Sequence, residues 1–101
     1  MGKIDFNTLV KEVLEINYTN FKEAGNEIKK FIESKKANYE AMAADLLDGN
    51  ITKEDVEKEM ISDKQAIEVI LLKHAVKNDL DNEEKAKKVA LMIVKIIIAA
   101  I

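Results

Sequence analysis

No cysteine occurs in the chain, so disulfides, thiol nucleophiles and thiolate metal sites are all excluded. Such a chain suits a reducing compartment, and a cytoplasmic location is expected. Proline is also absent and glycine occurs only 3 times, which leaves few obligatory breaks in helices. Arginine is missing too: all 16 basic residues are lysine. Lysine attracts phosphate as a point charge but lacks the planar fork that reads phosphate and guanine bidentately. With a net charge of −3, no broad basic face for nucleic acid is expected. The opening residues, MGKIDFNTLVKEV, hold no apolar run of a secretory leader. Phe6 stands where an N-myristoylation pattern requires Ser or Thr.

What the chain does contain is 48% apolar and 35% charged residues, too hydrophobic for disorder and ordinary for a helical protein. At 101 residues it reads as a single domain over 1–101, able to bury a modest core. Apolar residues recur in steps of three and four: Leu9, Val10, Val13, Leu14, then Phe21, Ala24, Ile28, Phe31, Ile32, Tyr39, Met42 and Leu46. That is the helical period. Asp5 is positioned to cap the first helix, with Ile4 before it as a hydrophobic staple on Leu9. Asp48-Gly49-Asn50 is a C-terminal stop.

Between these signals the pattern conflicts with itself. Asn17-Tyr18-Thr19-Asn20 is poor helix material, and Gly25-Asn26 is able to end a helix. Yet the stripe keeps phase across Gly25. That favours one long N-terminal helix of about forty residues, ~60 Å at ~1.5 Å per residue. The other reading breaks it at Gly25 into two helices of about twenty residues each.

The next helix opens at Thr52, with Asp55 three residues on as a capping box. Ser62 and Gln65 repeat the signal, so a short helix near 53–61 precedes a longer one from 63 to 77, unless the two run on through a bend. Ile67, Val69, Ile70, Leu71, Leu72, Ala75 and Val76 cover more than one face of it. Asp81 with Glu84 forms a further box before a helix that starts near 82 and runs to the end. The fold class expected is all-α: a bundle of three to five helices with the long N-terminal helix and an apolar C-terminal one.

Motifs that would carry chemistry fail on inspection. Asp48–Asp55 looks like the back half of a calcium loop, but Ala44 and Leu46 occupy positions that need oxygen ligands. His74 is the only histidine, and Leu71 stands three residues before it where a di-iron helix carries Glu. A structural histidine at the edge of a core is expected there. The acids at Glu54, Asp55, Glu57 and Glu59, and at Asp79, Asp81, Glu83 and Glu84, sit at helix starts, where the dipole favours them. No nucleophile elbow or phosphate loop is present. Phe6, Phe21 and Phe31 fall at core spacing and do not alternate with bases as a stacking platform does. No catalytic set, metal site or cofactor is expected.

The chain ends in ALMIVKIIIAAI, in which Lys95 alone is polar. From Val89 this helix has 13 residues, ~20 Å, against the ~30 Å of a bilayer core, and a membrane span is not expected. Glu84, Lys88 and Lys95 form one narrow polar stripe, interrupted by Leu91 and Met92. So much apolar surface asks for cover. A central helix packed within the chain is one answer. The sharper expectation is a non-enzymatic interaction protein whose partner is itself, as a homodimer or higher oligomer. Its interface would be Ile67, Ile70, Leu71, Val89, Ile93, Ile96, Ile97 and Ile101. The alternative is a membrane-surface or immunity-type bundle that receives another protein's apolar helix. Lys85, Lys87, Lys88 and Lys95 make a narrow basic face for a membrane surface.

Overall fold

A computed structural model of the chain describes residues 4–18, 20–75 and 81–101. It is all-helical: α1 (Phe6–Leu14), α2 (Ala24–Ser34), α3 (Lys36–Leu47), α4 (Lys53–Lys73) and α5 (Asn82–Ala100). Among the described residues there is no strand, only one antiparallel bridge between Phe21 and Ala75.

The long N-terminal helix does not exist, and Gly25 is not where the chain breaks. α1 stops at Leu14, at the edge of the weak segment Asn17–Asn20. Tyr18 turns back and its hydroxyl donates to the Val13 carbonyl at 2.8 Å, a second bond to an acceptor that the Ile16 N–H reaches at 3.3 Å. Phe21, in phase with the stripe but outside any helix, is 1% exposed and plugs the core. Glu23 then adopts φ 66, a left-handed conformation, and turns the chain into α2. Gly25 lies within the first turn of α2, beside the Tyr18 ring.

A second break has no glycine or proline to mark it. Ser34 donates its hydroxyl to the Phe31 carbonyl at 2.6 Å. The Lys35 N–H turns to the Ile32 carbonyl at 3.0 Å, an i→i−3 bond, and α3 departs on a new axis. The Lys36 ammonium lies 5.3 Å from the Phe6 ring centre, which holds the start of α3 to α1.

The other terminal signals are used as read. Asp5 caps α1 by accepting from the Thr8 N–H at 3.2 Å. α3 ends in a Schellman turn: Gly49 has φ +76, its N–H reaches the Leu46 carbonyl at 3.2 Å, and the Asn50 N–H reaches that of Asp45 at 2.8 Å. At Thr52 the capping box is complete, the Thr52 N–H donating to Asp55 Oδ2 at 2.9 Å and the Asp55 N–H to Thr52 Oγ1 at 3.2 Å. The segment that resembles half a calcium loop is therefore a stop followed by a start. Ser62 starts nothing: α4 runs unbroken through it for 21 residues. Asp81 flanks α5 in helical backbone without a side-chain cap bond. Val76, Asp79 and most of the preceding connection lie outside the described residues.

α4 and α5 form the most extensive helix pair, running antiparallel so that the first half of α4 lies beside the last half of α5. α1 packs on α5 and α2, and α2 packs on α4. The core runs between these layers through Leu9, Val13, Phe21, Ile28, Ile32, Tyr39, Met60, Ile67, Leu71, Ala90, Ile93 and Ile97. The molecule measures 46 × 24 × 17 Å between Cα extremes. With a Cα radius of ~2.3 Å and packed axes about 8–10 Å apart, a slab this thin holds no more than two layers, so each helix keeps a face open to solvent.

Candidate interaction surface

The residues expected at an interface are mostly inside the chain's own fold. Ile67, Leu71, Ile93 and Ile97 have no exposed surface, and Ile70 is buried as well. Val89, Ile96 and Ile101 are half-buried and packed against that core. Their cover comes from the two unforeseen breaks. Because α1, α2 and α3 fold back, α1 reaches the flank of α5 and α2 reaches α4, where one straight helix would have projected past both. Ile96 also lines a cavity of about 260 Å³ between α1 and the end of α5, together with Asp5, Leu9 and Glu12.

The surface left open is the flank of the α4–α5 pair away from that core. Between the helices runs a groove of about 350 Å³, with Met60, Val94 and Ile98 as its floor and Ile61 and Leu91 as its walls. Glu57, Lys64 and Lys95 rim it. Ile61 is 56% exposed and Leu91 41%, which is high for side chains of this size on adjacent helices. Leu72 and Val69 continue the apolar exposure toward the far end of α4. Lys64 pairs with Glu68 one turn on at 3.6 Å, while Glu57 has no ion-pair partner among the described residues. The open stripe of α5 is the one that carries Glu84, Lys88 and Lys95. Leu91, which interrupts that stripe, is its apolar centre.

The titratable residues elsewhere serve packing. Among the described residues no group of three or more His, Asp or Glu is arranged to hold a metal. His74 lies at the end of α4, partly buried, with Nε2 3.0 Å from Glu27 Oε1. Lys73 reaches the same oxygen at 3.3 Å. The hydrogen bond from His74, followed by that from Lys73, holds the Glu27 carboxyl below its usual value against some desolvation. With the bridge between Phe21 and Ala75, this clamps the start of α2 to the end of α4. Asp63, nearly enclosed on α4, accepts from the Tyr39 hydroxyl at 2.9 Å and lies 3.5 Å from Lys35 Nζ. Burial pushes the Tyr39 phenol far up, with the Asp63 charge adding to it. Burial alone takes Tyr18 up to about 12. Both phenols therefore remain protonated donors at neutral pH. No buried side-chain nitrogen or oxygen lacks a partner among the described residues.

No described helix is long and apolar enough to cross a membrane. Comparison with protein-family models, with curated proteins and with solved structures finds no match.

Proposed function

We propose that this protein is a non-enzymatic helical interaction protein of the cytoplasm that associates with a second copy of itself. The contact surface is the open flank of α5 beside α4. The observation that carries the reading is the apolar groove walled by Ile61 and Leu91, two exposed large apolar side chains that adjacent helices bring together on one face. A twofold pairing of two such flanks makes a four-helix contact and removes that surface from water with one patch, used twice.

Solution mass by light scattering across a tenfold dilution tests this. A dimer that dissociates on dilution is expected for the native chain, and Leu91→Asp is expected to be a monomer with the same helical content. A native chain that stays near 11.4 kDa at every concentration refutes it. The concavity of the groove favours one other occupant, the amphipathic helix of a different protein laid between α4 and α5. That reading predicts a monomer which binds an apolar helical peptide and loses it in Leu91→Asp.

A further inference from the structure

The rim of the α4–α5 groove has an order that a mere apolar patch would lack. Glu57 and Lys64 lie seven residues apart on α4, two turns along one face, with Ile61 between them. Leu91 and Ile98 lie seven apart on α5, with Val94 and Lys95 between them. The two sets stand side by side, since all of these residues line one groove.

A twofold axis lying across the groove at the level of Ile61 reverses both helices at once. It brings each Glu57 to the partner's Lys64 and each Leu91 to the partner's Ile98, with the two Ile61 side chains meeting on the axis. Two ion pairs and the apolar contacts form from one operation, against a single like-charge encounter, that of Lys95 with its own copy near the axis on α5. A rim of a single sign would repel its own copy. We infer that the dimer forms in this antiparallel register, with Glu57 and Lys64 as its reciprocal ion pairs. The inference rests on the self-association proposed above and specifies its geometry.

Helices of this length, ~30 Å long and ~10 Å wide, present together a face of roughly 600 Å². That is about what each side of a small specific interface needs, so a dimer dissociating in the micromolar range or weaker is expected. Lys64 already pairs with Glu68 on its own helix. It is therefore held near the rim before the partner arrives, and bridges two carboxylates in the dimer.

Charge reversal reads the register directly. E57K alone sets like charges against each other at both symmetric positions, and so does K64E. Each is expected to weaken dimerisation by about tenfold at low salt. Mixing the two single variants in equal amounts is expected to restore association, because in the mixed dimer lysine at 57 and 64 of one chain faces glutamate at 64 and 57 of the other. Sedimentation equilibrium of the native chain, each variant and the mixture measures all four, with circular dichroism confirming that each remains helical. Single variants that dimerise like the native chain, or a mixture no tighter than its components, overturn the register while self-association stands. A native chain that is monomeric at the highest concentration reached overturns both.

Discussion

Replacing Tyr39 with Phe should destabilise the protein far more than the loss of one oxygen atom implies. Tyr39 has no exposed surface, and its hydroxyl ties α3 to the Asp63 carboxylate in the middle of α4. Tyr39→Phe keeps the ring and its packing. It takes from Asp63 Oδ2 its 2.9 Å donor and leaves the carboxylate with Lys35 at 3.5 Å. A hydrogen bond to a charged group contributes about 1.5–3 kcal/mol, and Lys35 is too exposed to make up the loss. For a domain of this size each kcal/mol moves the midpoint by about 4–8 °C, so a fall on the order of 10 °C is expected. Asp63→Ala should cost a similar amount, because it leaves a buried hydroxyl without an acceptor. The double variant should cost less than the two singles added, with a coupling of about 1–2 kcal/mol. Urea denaturation followed by circular dichroism measures all three, at a concentration low enough for the monomer to dominate. A Tyr39→Phe variant within about 0.5 kcal/mol of the native chain would refute the argument, since the pairing across α3 and α4 would then contribute nothing net.

Four further outcomes follow from the same structure. Gly49→Ala is expected to lose about 1 kcal/mol through its left-handed φ alone, because a Cβ there meets no atom within 4 Å. Gly25→Ala, in helical backbone with a Cβ in ordinary contact 3.5 Å from the Tyr18 ring, is expected to gain up to about 0.5 kcal/mol. Ile93→Ala is expected to cost about 2–5 kcal/mol and Leu91→Ala under about 1, although both lie on the same apolar helix, which thermal denaturation of the two variants checks. Acid should destabilise the fold, because Asp5, Glu27 and Asp55 have carboxyls held below their ordinary values by bonds to Thr8, His74 and Thr52 respectively. Their contribution is complete above the unfolded carboxylate range and is lost as pH falls through the lower folded values. Urea midpoints should hold steady from pH 7 to about 5 and decline below about 4, with Asp55→Asn flattening part of that decline.

The class of fold and the helix ends at Asp5, Gly49 and Thr52 are legible because they rest on local chemistry. Asp5, Gly49 and the Thr52–Asp55 pair act on backbone groups within a few residues, so the sequence shows both partners at once. The missed breaks depend on longer reach. Phe21 looked like one more step of a helical stripe because its spacing to Ala24 and Ile28 is helical. Its side chain does join the same core as theirs, but it arrives from an irregular segment fixed by the Tyr18 hydroxyl and by a bridge to Ala75, 54 residues away. Periodicity reports which side chains face the core; it is silent on whether the backbone between them is continuous. The weak segment at Asn17–Asn20 is the local signal of the break, and the unbroken phase of the stripe masks it. At Ser34 there was no comparable signal, since a serine inside a helix more often points to water than to its own third-preceding carbonyl.

That Ile67, Leu71, Ile93 and Ile97 lie inside the chain's own fold follows from where those breaks fall. How much of an apolar arc needs a partner is the width of the arc minus the width its own chain covers. The sequence states the first quantity well: α5 is apolar nearly all round after Val89. The second depends on where the N-terminal half lies, and a straight helix of about 60 Å covers far less than three short ones folded back. With α1 on one flank and α4 on the other, Val89, Ile93, Ile96 and Ile97 are enclosed or half-enclosed, and the uncovered remainder is the sector centred on Leu91. That sector carries Glu84, Lys88 and Lys95, which is why it stays open: three charged side chains resist burial, and a weak, charge-ordered contact is the kind of association they permit. The polar stripe of α5 is thus the part of it with a surface to offer, and Ile93 and Ile97 hold the monomer together.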